Sequence, residues 1–105
     1  RKDGRVTAAS SSGVTDGAAA LLVAERRALE GAGVRAEARF VTATVAGVPP
    51  EIMGAGPVPA IAKLLDRTGL AVRDIDYFEI NEAFAVVNLH AEKQLGVPRD
   101  RTNLY

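Results

Sequence analysis

The chain has 105 residues, of which 48% are hydrophobic, with 13 basic residues, 13 acidic residues and no cysteine. This length allows one domain at most, and the zero net charge argues against the basic face that general nucleic-acid binding requires. The absence of thiols excludes disulfides, thiolate metal sites and cysteine nucleophiles within these residues. Neither a membrane-spanning apolar run nor a signal peptide is evident. We therefore expect a cytoplasmic α/β protein, and the sequence has the character of a piece of a longer chain.

The first third of the chain contains a short β-type run, a serine-rich turn and an alanine-rich run. Val6–Ala9 predicts a strand, and Ser10–Gly13 predicts a turn that offers hydroxyl and amide donors. Propensity favours a helix over Ala18–Ala24, although a buried strand would show the same uninterrupted apolar run. Residues 25–32 predict a short helix that ends before Gly33.

The middle of the chain predicts a strand, a long connection and a helix. Arg39–Val45 is rich in β-branched side chains, and the connection over Gly47–Gly56 contains two prolines. Pro57 suits the first turn of a helix, and Gly69 suits its end. The apolar face of this helix is predicted to consist of Val58, Ile61, Ala62 and Leu65.

A strand over Asp76–Ile80 and a second helix complete the pattern. Asn81 is a good helix N-cap, and Glu82 would place negative charge at the positive end of the helix. Gly96 is predicted to end this helix. Its apolar stripe is predicted to be Phe84, Val87, Ala91 and Leu95. Strands that alternate with helices through short links predict parallel neighbours and right-handed crossovers.

Asn81 is the first candidate for chemistry, because ligands of open α/β sheets bind at the carboxyl ends of strands. From the residues alone, its side chain either caps the helix or holds a water or carbonyl oxygen, and capping is favoured. The glycines of Gly54–Gly56 suggest a dinucleotide loop, but about ten residues separate them from the preceding strand, and a tight turn is the better interpretation. His90 lies mid-helix with no nucleophile nearby, which favours an ordinary surface histidine.

Three stretches resemble segments of the thiolase family, in the order and spacing of that family. Val6–Ala20 resembles its serine-loop segment, and Val45–Ala60 is similar to its Met-Gly-x-Gly-Pro segment. Ile75–Phe84 resembles its Asn-Glu-Ala-Phe segment, so the resemblance covers essentially the whole chain. Ser10 stands where the family often has asparagine.

The resemblance implies an α/β thiolase fold, which consists of two similar βαβαβαβ halves. Residues 1–33 would form the end of the first half, and residues 34–105 would form the start of the second. The resemblance also implies that Gly17–Ala24 is a buried strand and not the helix that propensity favours.

For function, the resemblance implies CoA-dependent cleavage of 3-oxoacyl-CoA, or the reverse Claisen condensation of two acyl-CoAs. Asn81 matches the family asparagine that fixes a water in an oxyanion hole. Positions that match contacts to the pantetheine arm or the acyl group are Ala8, Ser12, Met53, Ala83 and Phe84.

The family's catalytic cysteines and its Gly-His-Pro histidine have no counterpart in these residues, and His90 matches none of them. The piece is therefore expected to be inactive alone. Coenzyme A is expected as co-substrate, with no other cofactor and no metal, and the parent protein as a homodimer or homotetramer. The alternative is a non-catalytic thiolase-like subunit or scaffold that completes a partner's site. A sterol-carrier type of relative is disfavoured, because that branch usually replaces the Asn-Glu-Ala-Phe segment.

Overall fold

The computed structural model describes residues 4–104, in which the regular secondary structure is helical. The three α-helices in this range are α1 (Arg26–Gly31), α2 (Pro57–Thr68) and α3 (Ala85–Leu95). Short 3-10 helices cover Ala8–Ser10, Pro50–Ala55, Val72–Asp74 and Arg99–Arg101. The β-structure in the same range consists of two isolated bridges, an antiparallel one between Ser11 and Phe84 and a parallel one between Phe78 and Thr102.

Helix α2 begins and ends at the residues that the sequence predicts. Pro57 occupies its first turn, where a missing amide hydrogen leaves no bond unmade. Gly69 follows the last turn with φ +69°, and the Leu70 amide donates to the Leu65 carbonyl at 3.2 Å. This is the glycine-terminated helix end that leaves few carbonyls unsatisfied. No helix within residues 4–104 combines the length and the apolar character needed to cross a membrane.

Glycine also ends the other two helices, as predicted. Gly33 has φ +66°, and the following amide of Val34 donates to the Leu29 carbonyl at 2.9 Å across the end of α1. Gly96 has φ +68° at the end of α3, and its amide donates to the Glu92 carbonyl at 3.0 Å. Both positions lie in the left-handed region, which favours glycine.

The predicted start of α3 is wrong by three residues. Asn81 does not cap this helix: Phe84 is the N-cap residue, with φ −142° and ψ 139°, and the first helical residue is Ala85. Phe84 is held in this extended conformation by its bridge to Ser11, a contact between segments more than 70 residues apart in sequence. Local capping preference could not reveal this long-range pairing.

The hydrophobic core lies between α2, α3 and the segments on either side of α3. Its buried members are Phe78, Ile80, Val87, Ala91 and Val97. Partly buried side chains from α2 and its neighbours pack against them: Val58, Ile61, Val72, Ile75, Phe84 and Leu95. The predicted stripe of α3 is therefore confirmed. On α2 the predicted face is confirmed for Val58 and Ile61, whereas Ala62 is exposed.

The predicted strands do not pair into a sheet in the described part of the chain. Ala8 and Ala9 belong to a 3-10 helix and not to a strand, because the Ser10 amide and the Ser11 hydroxyl both donate to the Thr7 carbonyl. Residues 17–24 form neither a helix nor a β-bridge. The burial expected for them is also absent, since Leu21 is 92% exposed. A strand is buried and paired only by neighbours, and residues 4–104 supply none for this segment.

Residues 39–45 likewise form no β-bridge, but side chains tie the end of this segment to α2. The Arg67 guanidinium donates to the Ala43 carbonyl at 2.8 Å, and the Lys63 ammonium donates to the Val45 carbonyl at 3.2 Å. The Thr44 hydroxyl donates in the other direction, to the Ala60 carbonyl at 2.9 Å. The segment therefore runs antiparallel to α2 and lies against it.

Candidate active site

The serine-rich turn and the Asn81–Phe84 segment are joined by backbone hydrogen bonding. The Ser12 amide donates to the Ala83 carbonyl at 3.0 Å, next to the bridge between Ser11 and Phe84. These two stretches are far apart in sequence, and both belong to the segments that resemble the thiolase family. The structure brings them side by side at the start of α3.

The third candidate segment, the 3-10 helix Pro50–Ala55, packs against the first turn of α3. A methyl group placed on Gly54 would lie 3.4 Å from Cγ2 of Val87, at van der Waals contact distance, so the two elements lie close together here. Met53 precedes this glycine, and its side chain is 69% exposed. All three segments therefore meet around the N-terminal end of α3.

Asn81 lies where the core segment that ends at Ile80 turns toward α3. Its side chain is exposed and makes no hydrogen bond to any residue in the range 4–104. The position is a junction between an extended segment and a helix, although the helix begins four residues later. The amide of Asn81 is therefore free to bind a group from outside the described chain.

The backbone of Ile80, directly before Asn81, is held by the side chain of Asn103. Asn103 Oδ1 accepts from the Ile80 amide at 2.8 Å, and Asn103 Nδ2 donates to the Ile80 carbonyl at 2.7 Å. Phe78 and Thr102 form a parallel bridge two residues earlier, through the Phe78 amide to Arg101 and the Asn103 amide to Phe78. The Asn103 side chain thus continues to Ile80 the hydrogen bonding that the backbone makes at Phe78.

Glu82, directly after Asn81, is held by two asparagine side chains. Its Oε1 accepts from Asn88 Nδ2 at 3.0 Å and from Asn103 Nδ2 at 3.2 Å. Asn88 is only 6% exposed, and its Oδ1 has no hydrogen-bond partner in the described structure. The carboxylate predicted to favour the helix end instead orients these two amides.

The remaining residues that were predicted to contact the substrate differ in their exposure to solvent. Ala83 and Phe84 are half-buried, and Phe84 packs against the core. Ser12 and Ala8 are exposed, and Ala8 lies in the 3-10 helix that precedes the bridge residue Ser11. His90 is half-buried on α3. Within residues 4–104 no group of three or more His, Asp or Glu side chains is arranged to hold a metal ion.

The sequence analysis did not identify Asn88 or Asn103 as site residues, although each has a distinctive property. Asn88 lies four residues after Phe84 and three before Ala91, so it falls on the buried face of the predicted stripe. A polar residue there must find a partner, because an unpaired buried amide is costly. Asn103 has φ +50°, in the region that asparagine tolerates better than most residues, but one sequence does not reveal φ.

A cleft of about 300 Å³ lies between α3 and the 3-10 helix Arg99–Arg101. Arg99 forms a two-pronged ion pair with Glu92 at its edge, with Nη2 to Oε2 at 2.8 Å and Nε to Oε1 at 3.1 Å. The hydrogen bond from Arg99 holds the pKa of the Glu92 carboxyl below its usual value. None of the predicted site residues lines this cleft, whose walls are Glu82, Ala85, Asn88, Leu89, Glu92, Arg99 and Thr102.

The chain belongs to the thiolase family. The family described as "Thiolase, C-terminal domain" matches residues 34–105. Among curated proteins, the chain is 50% identical over 102 residues to a peroxisomal 3-ketoacyl-CoA thiolase A of Candida tropicalis. That match covers 97% of this chain and 25% of the relative. The chain therefore spans about a quarter of the length of the curated relatives that it matches.

Solved structures of the family agree with this membership. The dimeric peroxisomal thiolase of Saccharomyces cerevisiae matches with a TM-score of 0.71 and 45% identity, over 74% of this chain and 20% of its own. Human mitochondrial 3-ketoacyl-CoA thiolase in complex with CoA matches with a TM-score of 0.69 and 41% identity, over 74% and 20% of the two chains. The predicted fold class is therefore confirmed: the chain forms part of the α/β thiolase fold.

Proposed function

We propose that this chain is the part of a thiolase that contributes an oxyanion-binding asparagine and one wall of the acyl-CoA site. The parent enzyme would cleave 3-oxoacyl-CoA with free CoA, or run the reverse Claisen condensation of two acyl-CoAs. The observation that carries the proposal is the bond from the Ser12 amide to the Ala83 carbonyl, since it joins two of the three resembling segments beside Asn81. The domain division at residues 33 and 34 is part of the same proposal.

Asn81 is the residue proposed to take part in the chemistry. Its exposed amide carries two N–H donors and lies on a segment whose backbone is fixed at Ile80. Donors held in place before the reaction stabilise negative charge that develops on a substrate oxygen, directly or through a water. Asn81 would thereby favour the enolate form of the thioester that the reaction generates.

Five neighbouring residues are proposed to bind the substrate. Exposed Ser12 offers a hydroxyl to the polar pantetheine arm, and exposed Met53 offers an apolar surface to the acyl group. Ala83 and Phe84 line the junction between them, and Ala8 lies at the edge of the serine-rich turn. Coenzyme A is the proposed co-substrate, in keeping with the human relative whose structure was solved with CoA.

The nucleophile of this reaction must come from residues outside this chain, which contains no cysteine. A thiolate forms the covalent acyl intermediate in this class of reaction. We therefore expect the isolated chain to leave acetoacetyl-CoA and CoA unchanged. Loss of thioester above background would contradict this expectation.

The test of the proposal is Asn81→Ala in the full-length protein, assayed as CoA-dependent cleavage of acetoacetyl-CoA. Removal of one oxyanion-hole group typically lowers kcat by about 10²- to 10³-fold. The matched control is Gln94→Ala, an exposed amide near the other end of α3, which should leave kcat unchanged. An active wild type with equal turnover in Asn81→Ala would overturn the role of Asn81. A wild type without thiolytic activity would favour the scaffold alternative.

Oligomeric state and cellular location are separate questions from the reaction. A homodimer or homotetramer is proposed for the full-length protein; the matched yeast thiolase is described as dimeric. Sedimentation of the full-length protein would test this. A cytoplasmic location stays a prediction, because the three similar thiolases described above are named as peroxisomal or mitochondrial.

A further inference from the structure

We propose that Asn103 is a positioning residue for Asn81, and that it acts by clamping the backbone on one side of Asn81 and the carboxylate on the other. The inference rests on the proposed oxyanion role of Asn81 and adds a residue to it. One side chain, that of Asn103, makes three hydrogen bonds to the residues that immediately flank Asn81. These are the bonds to the Ile80 amide at 2.8 Å, the Ile80 carbonyl at 2.7 Å and Glu82 Oε1 at 3.2 Å.

The need for such a clamp follows from where Asn81 lies. Asn81 lies between the 3-10 helix Val72–Asp74 and α3 and belongs to neither. No regular backbone hydrogen bonding therefore orients it. Its own side chain is unbonded within residues 4–104. An oxyanion-binding amide loses its effect when its position varies by a fraction of an ångström, so the rigidity must come from its neighbours.

The geometry of Asn103 suits this task. A side-chain amide offers one acceptor and one pair of donors on the same plane, which matches the N–H and C=O of a single backbone residue. The Asn103 backbone has φ +50°, a conformation that costs most residues energy and that asparagine tolerates. Buried Asn88 also donates to Glu82, at 3.0 Å from the same oxygen, so the Glu82 carboxylate is held by two amides.

The experiment uses the full-length protein and the same acetoacetyl-CoA assay, with Asn103→Gly as the principal variant. Glycine accepts φ +50° without strain, so the variant removes the clamp and is expected to fold. We expect kcat to fall about tenfold to a hundredfold while KM stays nearly constant, because misplacement affects the transition state more than ground-state binding. Arg99→Met, on the neighbouring 3-10 helix but outside the clamp, should retain wild-type kcat.

The decisive measurement is a double-mutant cycle with Asn81→Ala. If Asn103 acts through Asn81, then Asn103→Gly changes kcat by less than about twofold in the Asn81→Ala background. An unchanged kcat in the single variant overturns the proposal, and so does a full, additive loss in the double variant. If Asn103→Gly does not fold, Asn103→Asp is judged by the same cycle, since it keeps the shape and loses the Nδ2 donors. Failure of the proposed role of Asn81 would give a different result, namely equal activity of the wild type and Asn81→Ala.

Discussion

The amide of Ser12 and the carbonyl of Ala83 lie 3.0 Å apart in a hydrogen bond that joins the serine-rich turn to the start of α3. Ser11 and Phe84 extend this contact as an antiparallel bridge. The contact holds Phe84 extended, which delays the start of α3 and leaves Asn81 in a loop. One long-range pairing therefore determines both the shape of the candidate site and the register of the helix behind it.

Replacement of Ser12 by proline should break this contact. Ser11 has ψ 150°, which is compatible with a following proline, and the substitution removes the Ser12 amide donor. We expect the free energy of unfolding of the full-length protein to fall by about 1 kcal/mol, measured by chemical denaturation. Ser12→Ala is the control, because it keeps the amide and should leave stability unchanged. Equal stability of the two variants would show that the contact contributes nothing.

Gly96 should resist substitution because of its backbone conformation. Its φ of +68° disfavours any residue with a Cβ atom, although no atom crowds the position. Gly96→Ala should therefore destabilise the protein by about 1 kcal/mol, and Gly96→Asn by less, as measured by thermal unfolding. Alanine and asparagine variants with the same melting temperature as the wild type would contradict this explanation.

The ion pair between Glu92 and Arg99 should make stability depend on pH. Arg99 holds the pKa of the Glu92 carboxyl below its usual value in the folded state, through a hydrogen bond and its positive charge. The pair therefore stabilises the fold above the ordinary carboxyl pKa, and this contribution is lost as pH falls through the folded-state pKa. Comparison of wild type and Arg99→Met should show a stability difference at neutral pH that shrinks in acid.

Arg73→Met is a suitable control for that experiment, because Arg73 is another exposed arginine, at 3.8 Å from Asp74. A carbon-13 titration of the Glu92 carboxyl should give a higher pKa in Arg99→Met than in the wild type. An identical pKa in the two proteins would contradict the assignment.

Two substitutions of Asn88 should show that its buried site tolerates an apolar side chain better than a charged one. Asn88→Asp places a second carboxylate beside Glu82 Oε1, where the amide nitrogen now donates at 3.0 Å. Because the site is 6% exposed, we expect a loss of at least about 2 kcal/mol in the free energy of unfolding. Asn88→Leu removes the unpartnered Oδ1 as well as the donor, and should cost less. If Asn88→Leu were less stable than Asn88→Asp, Asn88 Oδ1 would have to make a hydrogen bond in the full-length protein.

Helix ends and the α3 stripe were predictable from the sequence because their causes are local. A left-handed glycine ends each of the three helices at or just after its last turn, and Pro57 fits only where a helix begins. The spacing of Val87, Ala91 and their neighbours specifies a buried face whatever surrounds it. These features require no knowledge of distant residues, so one sequence contains them.

The start of α3, the clamp on Asn81 and the pairing of predicted strands were decided by tertiary structure. Phe84 is kept out of the helix by Ser11, and Ile80 is bonded to an asparagine 23 residues away. The segment over residues 17–24 has the composition of a buried strand, yet burial depends on neighbours that residues 4–104 do not provide. Local propensity describes what a segment favours alone, whereas these outcomes depend on which distant groups meet it.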